Sequence, residues 1–139
     1  MISHHFKKTI FFALFLTLSS TSVINAEQFK IYTNYQEALK VAKKSDKKLM
    51  MMLHSPHCPW CQRMKKETIS QKETQKFINK NYIFVSLNKY TDDYPKKFET
   101  NMIPTVFLIN SKDEKEIYKM LGFQSVESFI DEVTLAQDL

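Results

Sequence analysis

The sequence has few cysteines and almost no glycine: its 139 residues contain two cysteines and one glycine. Both cysteines, Cys58 and Cys61, lie in one short stretch, so no second Cys-x-x-Cys pair is available to complete a structural zinc site. Gln62, not histidine, follows the second cysteine, which excludes covalent attachment of haem. No internal repeat and no Pro- or Gly-rich linker divides the chain. These absences indicate one globular domain without a structural zinc or haem site.

Long hydrophobic runs are also absent. Spanning a bilayer takes about 20 apolar residues, and no apolar run in the sequence is that long. The apolar run Ile10–Leu18 follows two lysines and precedes a polar stretch that ends at Ala26. A basic start, a short apolar centre and a small final residue are typical of a secretory signal peptide. We therefore predict that residues 1–26 are removed and that residues 27–139 form an exported domain. An uncleaved signal that anchors the chain in the membrane is the alternative.

The excess of positive charge is small. The formal net charge is +5, and it falls to +3 when the two lysines of the predicted signal are left out. The other lysines occur largely in scattered pairs beside acidic or polar residues, whereas a nucleic-acid site needs a clustered basic face. We therefore predict solvated helix surfaces and no nucleic-acid partner.

Helix-like and strand-like segments alternate along the predicted domain. Residues 34–45 place apolar side chains at helical spacing between a short strand at 29–32 and a buried strand at 47–54. A helix is predicted to begin at Cys58, to break near Ile69 and to restart at a capping box, Ser70–Glu73. The remaining predicted elements are strands at 82–88, 105–110 and 115–120, a short helix capped by Asp92 or Asp93, a turn at Gly122 and a final helix at 125–136. This order predicts an α/β fold with a mixed central sheet and helices on both faces.

Cys58 and Cys61 are three positions apart, so their sulfurs share one face of the predicted helix. Two cysteines of an exported protein are normally paired, but a bridge that closes so short a loop adds little stability. Its place at a strand-to-helix junction favours a disulfide that is made and broken in function. The helix N-terminus favours a thiolate at Cys58, the predicted exposed nucleophile, while Cys61 is the predicted buried resolving thiol.

The predicted reaction is thiol–disulfide exchange. The Cys58 thiolate attacks a partner's disulfide, and Cys61 then attacks the mixed disulfide and releases the reduced partner; the reverse reaction oxidises a dithiol. Pro59 suits the first helical position, and Trp60 offers an apolar contact surface to a partner chain. His57 either supports the Cys58 thiolate or is a solvent-facing loop residue.

Two other functions fit the same residues. The cysteines together with His54 and His57 offer soft ligands for Cu(I) or Zn(II), although we expect a structural role for His54 and no bound metal or other cofactor. The chain could also be a non-catalytic interaction module in which the cysteines are idle. A reversible redox couple in a glutathione titration separates the oxidoreductase from both alternatives.

With these motifs the chain resembles the thioredoxin superfamily, in particular the small exported thioredoxin-like proteins of Gram-negative bacteria. The resemblance rests on CPWC after an apolar strand, on MIPT before the strand TVFLIN, and on LGFQSVESF before the final helix. It implies a three-layer α/β/α thioredoxin-like domain in which Pro104 is cis and packs beside the disulfide. It also implies that Ile103 contacts substrate, with Thr105 and Trp60 as neighbouring contact residues.

The resemblance further implies a periplasmic monomer that exchanges electrons with protein thiols and disulfides and is fed by a membrane electron donor. Without an inserted helical subdomain the chain looks more like a reductase, and an oxidase or isomerase is the alternative direction. Thioredoxin carries a buried Asp and a Lys at positions that correspond here to Met52 and Ser86. The proton acceptor for Cys61 therefore stays open.

Overall fold

The computed structural model describes residues 28–138, so the predicted signal peptide, residues 1–26, lies outside the described residues. Within the described part, no helix has the length and apolarity needed to cross a membrane. The strands and helices follow in the order β1 (Ile31–Tyr32), α1 (Tyr35–Lys44), β2 (Lys48–His54), α2 (Pro59–Arg63), a π-helical segment (Met64–Ile69), α3 (Lys72–Asn81), β3 (Tyr82–Asn88), a 3-10 turn (Lys96–Phe98), β4 (Thr105–Ile109), β5 (Glu116–Leu121), α4 (Val126–Leu135) and a last 3-10 turn (Ala136–Asp138).

Five strands form one mixed sheet in the order β1-β3-β2-β4-β5. The central strand β2 pairs in parallel with β3 and antiparallel with β4. On the outside, β1 runs parallel to β3 and β5 runs antiparallel to β4. The predicted mixed sheet is confirmed, and the strand that leads into the Cys-x-x-Cys motif lies at its centre.

Side chains of β2 alternate between the two faces of the sheet, as the period of a strand requires. Met51 and Leu53 belong to a core cluster with residues of α1. Met50 and Met52 belong to a second cluster, which contains residues of the π-helical segment, α3 and α4. Helices therefore cover both faces, which confirms the predicted α/β/α layers.

Helix α1 forms where the apolar spacing predicts it. Asn34 caps its N-terminus, since its side chain accepts a hydrogen bond from the Glu37 backbone N–H at 2.9 Å. Asp46 directly follows the C-cap, Ser45, and has a φ of 52°. This left-handed conformation after a helix is one that glycine favours.

The predicted capping box at Ser70–Glu73 is wrong. Helix α3 begins at Lys72 with Gln71 as N-cap, and no side chain caps it. The Ser70 hydroxyl donates instead to the carbonyl of Lys66, in the preceding π-helical segment. Ser70 therefore ends one helical segment and does not begin the next, because a serine hydroxyl can bond to a carbonyl behind it as well as to an N–H ahead.

The short helix predicted in the segment after Asp92 or Asp93 forms only in part, and neither aspartate caps it. Only one 3-10 turn forms, at Lys96–Phe98, with Pro95 before it. The Asp92 carboxylate accepts a hydrogen bond from the Asn88 backbone N–H at 2.8 Å and so ties the loop to the end of β3. The local hydrogen bond competes with helix capping, which the sequence pattern alone does not resolve.

Candidate active site

Cys58 and Cys61 form a disulfide at the junction of β2 and α2, with their Cα atoms 5.2 Å apart. Cys58 is the N-cap of α2 and Pro59 takes the first helical position, where its missing N–H needs no partner. The Cys58 sulfur accepts a hydrogen bond from the Cys61 backbone N–H at 3.1 Å. The predicted strand, loop and helix start therefore bring the two sulfurs together.

The two cysteines differ in access to solvent. Cys58 is 7% exposed and Cys61 is 1% exposed. The order agrees with the predicted nucleophile and resolving thiol, and these roles stay predictions. We predicted an exposed Cys58, but the residue is buried and only less so than Cys61. The loop before β4 lies against its sulfur, since Cys58 Sγ is 3.8 Å from the Ile103 carbonyl oxygen.

The loop before β4 has the conformation that the resemblance implies. The Ile103–Pro104 peptide bond is cis. Thr105 is fully buried, and its hydroxyl donates to the Met102 carbonyl at 2.6 Å. Its side chain thus holds the turn and faces inward, so any contact of Thr105 with a substrate would come from its backbone. Ile103 is half-buried and presents its backbone next to the disulfide.

An apolar groove of about 450 Å³ lies beside the cis-proline. Trp60 is 54% exposed and its ring centroid lies 5.9 Å from that of Phe123. The residues that line the groove are Trp60, Met102, Ile103, Pro104, Gly122 and Phe123. Sequence reasoning missed Phe123 and Met102 as groove residues, although both lie in stretches that carry the family resemblance.

Arg63 fixes one wall of this groove. Its guanidinium carbon lies 4.9 Å from the Trp60 ring centroid and 4.6 Å from that of Phe123. It also donates two hydrogen bonds to the Glu67 carboxylate, at 3.1 and 2.9 Å. A planar cation held by a carboxylate stacks well on aromatic rings, so Arg63 orients the tryptophan between the two cysteines.

The two histidines of the motif lie in different environments. His57 is exposed next to Cys58, and its predicted support of the thiolate stays a prediction. His54 is half-buried, and its Nε2 accepts a hydrogen bond from the Lys65 ammonium at 3.0 Å. Burial, and after it the positive charge of Lys65, lowers the pKa of His54. The sequence offered no signal for this contact, because it joins the end of β2 to the π-helical segment.

The residues that could hold a metal do not gather around the disulfide. Within residues 28–138, no group of three or more His, Cys, Asp and Glu side chains lies close enough to hold a metal ion. His54 faces Lys65, and a cation at this nitrogen is opposed by the ammonium charge.

Comparisons with known proteins agree with this geometry. A family model described as a thioredoxin-like domain matches residues 35–137. Mouse anterior gradient protein 3 is 30% identical over 76 residues, which are 55% of this chain and 46% of that protein, so the chain spans about half the length of the curated relatives it matches. A thioredoxin from Thermus thermophilus has a TM-score of 0.67 at 21% identity, over 79% of this chain and 88% of that one. A structure named DsbH oxidoreductase has a TM-score of 0.67 at 20% identity, over 88% of this chain and 93% of that one.

Proposed function

The chain belongs to the thioredoxin-like domain family, and from this premise we propose that it is a periplasmic thiol–disulfide oxidoreductase that exchanges the Cys58–Cys61 pair with partner proteins. It has the fold and the Cys-x-x-Cys disulfide of such oxidoreductases. The single observation that carries the proposal is the position of Cys58 Sγ, 3.8 Å from the Ile103 carbonyl beside the cis-proline. A purely structural disulfide would not need the Ile103 backbone and an apolar groove next to its less buried sulfur, that of Cys58.

The reaction follows from this arrangement. In the reduced protein, the Cys58 thiolate attacks one sulfur of a partner disulfide, and the other partner sulfur leaves with the electron pair. The bound partner chain lies along Ile103, and the groove beside Trp60 receives one of its apolar side chains. Cys61 then attacks Cys58, which releases the second partner sulfur as a thiolate and leaves the protein oxidised.

We propose that electrons flow from this protein to its partners. From β1 to α4 the described chain consists of the sheet, its covering helices and short connections, without an inserted helical subdomain. We infer this direction of electron flow by analogy with small reductases. It requires an electron donor, which we expect in the membrane because the predicted signal exports the domain. The oxidase or isomerase direction is the alternative.

Redox equilibrium with glutathione tests the proposed function. Trp60, the one tryptophan of the sequence, lies between the cysteines and reports their redox state by fluorescence. We expect a reversible two-electron transition and catalytic reduction of insulin disulfides. The control is the variant that carries both Cys58→Ser and Cys61→Ser. A protein without a reversible transition would instead fit the interaction module or the Cu(I)- or Zn(II)-handling role.

The direction has its own test in cells. Rapid acid quenching followed by alkylation of free thiols separates the reduced and oxidised forms on a gel. A reductase is held mainly reduced by its donor, so we expect alkylated Cys58 and Cys61. A fully oxidised pool at steady state would favour the oxidase direction.

A further inference from the structure

Cys61 has to lose a proton in surroundings that disfavour its thiolate. It is 1% exposed, and it attacks the mixed disulfide on Cys58 only as a thiolate. The strand that leads into the motif, β2, contributes Met50 and Met52 to the core, both fully buried, and neither can accept a proton. The exchange reaction therefore needs a proton acceptor from another part of the site.

Two basic side chains meet on the face of the sheet that the helix of Cys61 covers. Met64, the first residue of the π-helical segment that directly follows this helix, packs in one cluster with Met52 of β2, and the alternation along β2 places His54 on the same face as Met52. Lys65, in the π-helical segment, follows Cys61 by four positions, about one helical turn. Its Nζ donates to Nε2 of His54 at 3.0 Å.

A cavity of about 440 Å³ connects this pair with a buried hydroxyl. Ser86 is 8% exposed, lines the cavity, and its Oγ has no hydrogen-bond partner among residues 28–138. Asp92 lines the same cavity with a carboxylate that accepts the Asn88 N–H. A space of this size beside buried polar atoms accommodates water, which gives a proton a route to solvent.

The charges around the pair favour proton movement. Burial and the ammonium of Lys65 lower the pKa of His54, the Ser55 carbonyl and the Asp92 carboxylate oppose this, and the net direction is downward. Burial also lowers the pKa of Lys65. His54 is therefore a neutral imidazole near pH 7 and able to accept a proton, and Lys65, although partly exposed, gives one up more readily than an ordinary lysine does.

We propose that Lys65 and His54 form the proton relay that ionises Cys61, an inference that rests on the proposed oxidoreductase function. Lys65 Nζ takes the proton of the Cys61 thiol while it passes one of its own to His54 Nε2. Cys61 Sγ then bonds to Cys58 Sγ, the bond between Cys58 and the partner sulfur breaks, and its electron pair leaves with the partner as a thiolate. The protein is oxidised, the partner is reduced, and His54 releases the proton into the cavity.

Reaction of the reduced protein with 5,5′-dithiobis(2-nitrobenzoate) isolates this step. Attack by Cys58 releases the first thionitrobenzoate, and attack by Cys61 on the resulting mixed disulfide releases the second. The two phases are separated by stopped-flow absorbance, and Cys61→Ala removes the second phase.

Three variants test the relay. Lys65→Arg keeps the positive charge and a donor toward the imidazole but cannot release a proton, and His54→Asn removes the acceptor. We expect both to slow the second phase about tenfold or more and to leave the first phase unchanged. Lys66→Arg, the neighbouring exposed lysine, is the matched control and keeps both phases. In the wild type the second phase slows as the pH falls through the pKa of His54, which lies below the ordinary 6.5, and His54→Asn loses this dependence.

The outcomes separate the two proposals. A wild-type protein that shows no second phase would overturn the oxidoreductase function, and the relay with it. A normal second phase in the wild type that Lys65→Arg leaves unchanged would overturn the relay alone, since charge without proton transfer would then suffice. Circular dichroism of each variant confirms that a slow second phase does not come from unfolding.

Discussion

The backbone N–H of Gly122 donates a hydrogen bond to the carbonyl oxygen of Pro104 at 2.8 Å, so the end of β5 holds the loop that covers the disulfide. Gly122 has a φ of 78°, and a Cβ added there would meet the Met102 sulfur at 3.8 Å, an ordinary contact. Strain in Gly122→Ala therefore comes from the backbone alone. We expect the free energy of unfolding, measured in urea, to fall by about 1 kcal/mol. An unchanged value would show that the loop has shifted to relieve the strain.

Asp46 offers the converse substitution. Its φ of 52° costs an aspartate more than a glycine, so we expect Asp46→Gly to raise the free energy of unfolding by about 0.5 kcal/mol. The lost ion pair with Lys112, 2.9 Å apart and exposed, contributes little. Lys112→Ala breaks the same pair without changing the backbone and serves as the control. If Asp46→Gly and Lys112→Ala lowered the free energy of unfolding equally, backbone strain at Asp46 would be contradicted.

Cys61→Ala should trap partners. Without the resolving thiol, the mixed disulfide on Cys58 has no intramolecular escape, and we expect partner proteins to accumulate on Cys58 as complexes that dithiothreitol releases. Non-reducing electrophoresis and mass spectrometry identify them. Cys58→Ala is the control and should trap none. Equal trapping by both variants would reverse the assigned roles of the two sulfurs.

Trp60→Ala should weaken partner binding more than it slows the chemistry. The exposed indole forms a wall of the groove, so we expect KM for a peptide disulfide to rise about tenfold, with a smaller change in kcat. Leu135→Ala, which removes an exposed apolar side chain that does not line the groove, should leave both constants unchanged. A kcat effect alone would place Trp60 in the exchange step.

His54 should make stability depend on pH. Its pKa in the folded chain lies below the ordinary 6.5, so protonation favours the unfolded chain. The stability that neutral His54 contributes is fully present above pH 6.5, and it is lost as the pH falls through the pKa of His54 in the folded chain. We expect Tm, measured by calorimetry from about pH 7 to about pH 5, to fall less in His54→Asn than in the wild type. An equal fall of Tm in His54→Asn and in the wild type would contradict this role of His54.

Much of the fold could be predicted from local patterns. The apolar spacing of residues 34–45 and the buried run before the cysteines predicted α1 and β2, because burial of a face fixes both period and element. Pro59 after Cys58 predicted where α2 begins. The family resemblance supplied what spacing alone could not, the cis peptide at Pro104.

The parts that could not be predicted depend on contacts between distant segments. Ser70 and Asp92 each have a side chain that suits a helix cap, and each bonds elsewhere because a nearby backbone group competes for it. The contact of His54 with Lys65 arises only when the π-helical segment packs over the end of β2. A single sequence does not show such pairings.

The methionines of this protein differ sharply in what an oxidant can reach. The three in β2 are fully buried at the centre of the sheet, as are the others in residues 28–138 except Met102, which is 50% exposed. Hypochlorite or peroxide would therefore convert Met102 to its sulfoxide first. A polar sulfoxide in the groove would reduce its affinity for apolar partner side chains while the core stays intact. Oxidative damage would thus affect recognition before stability.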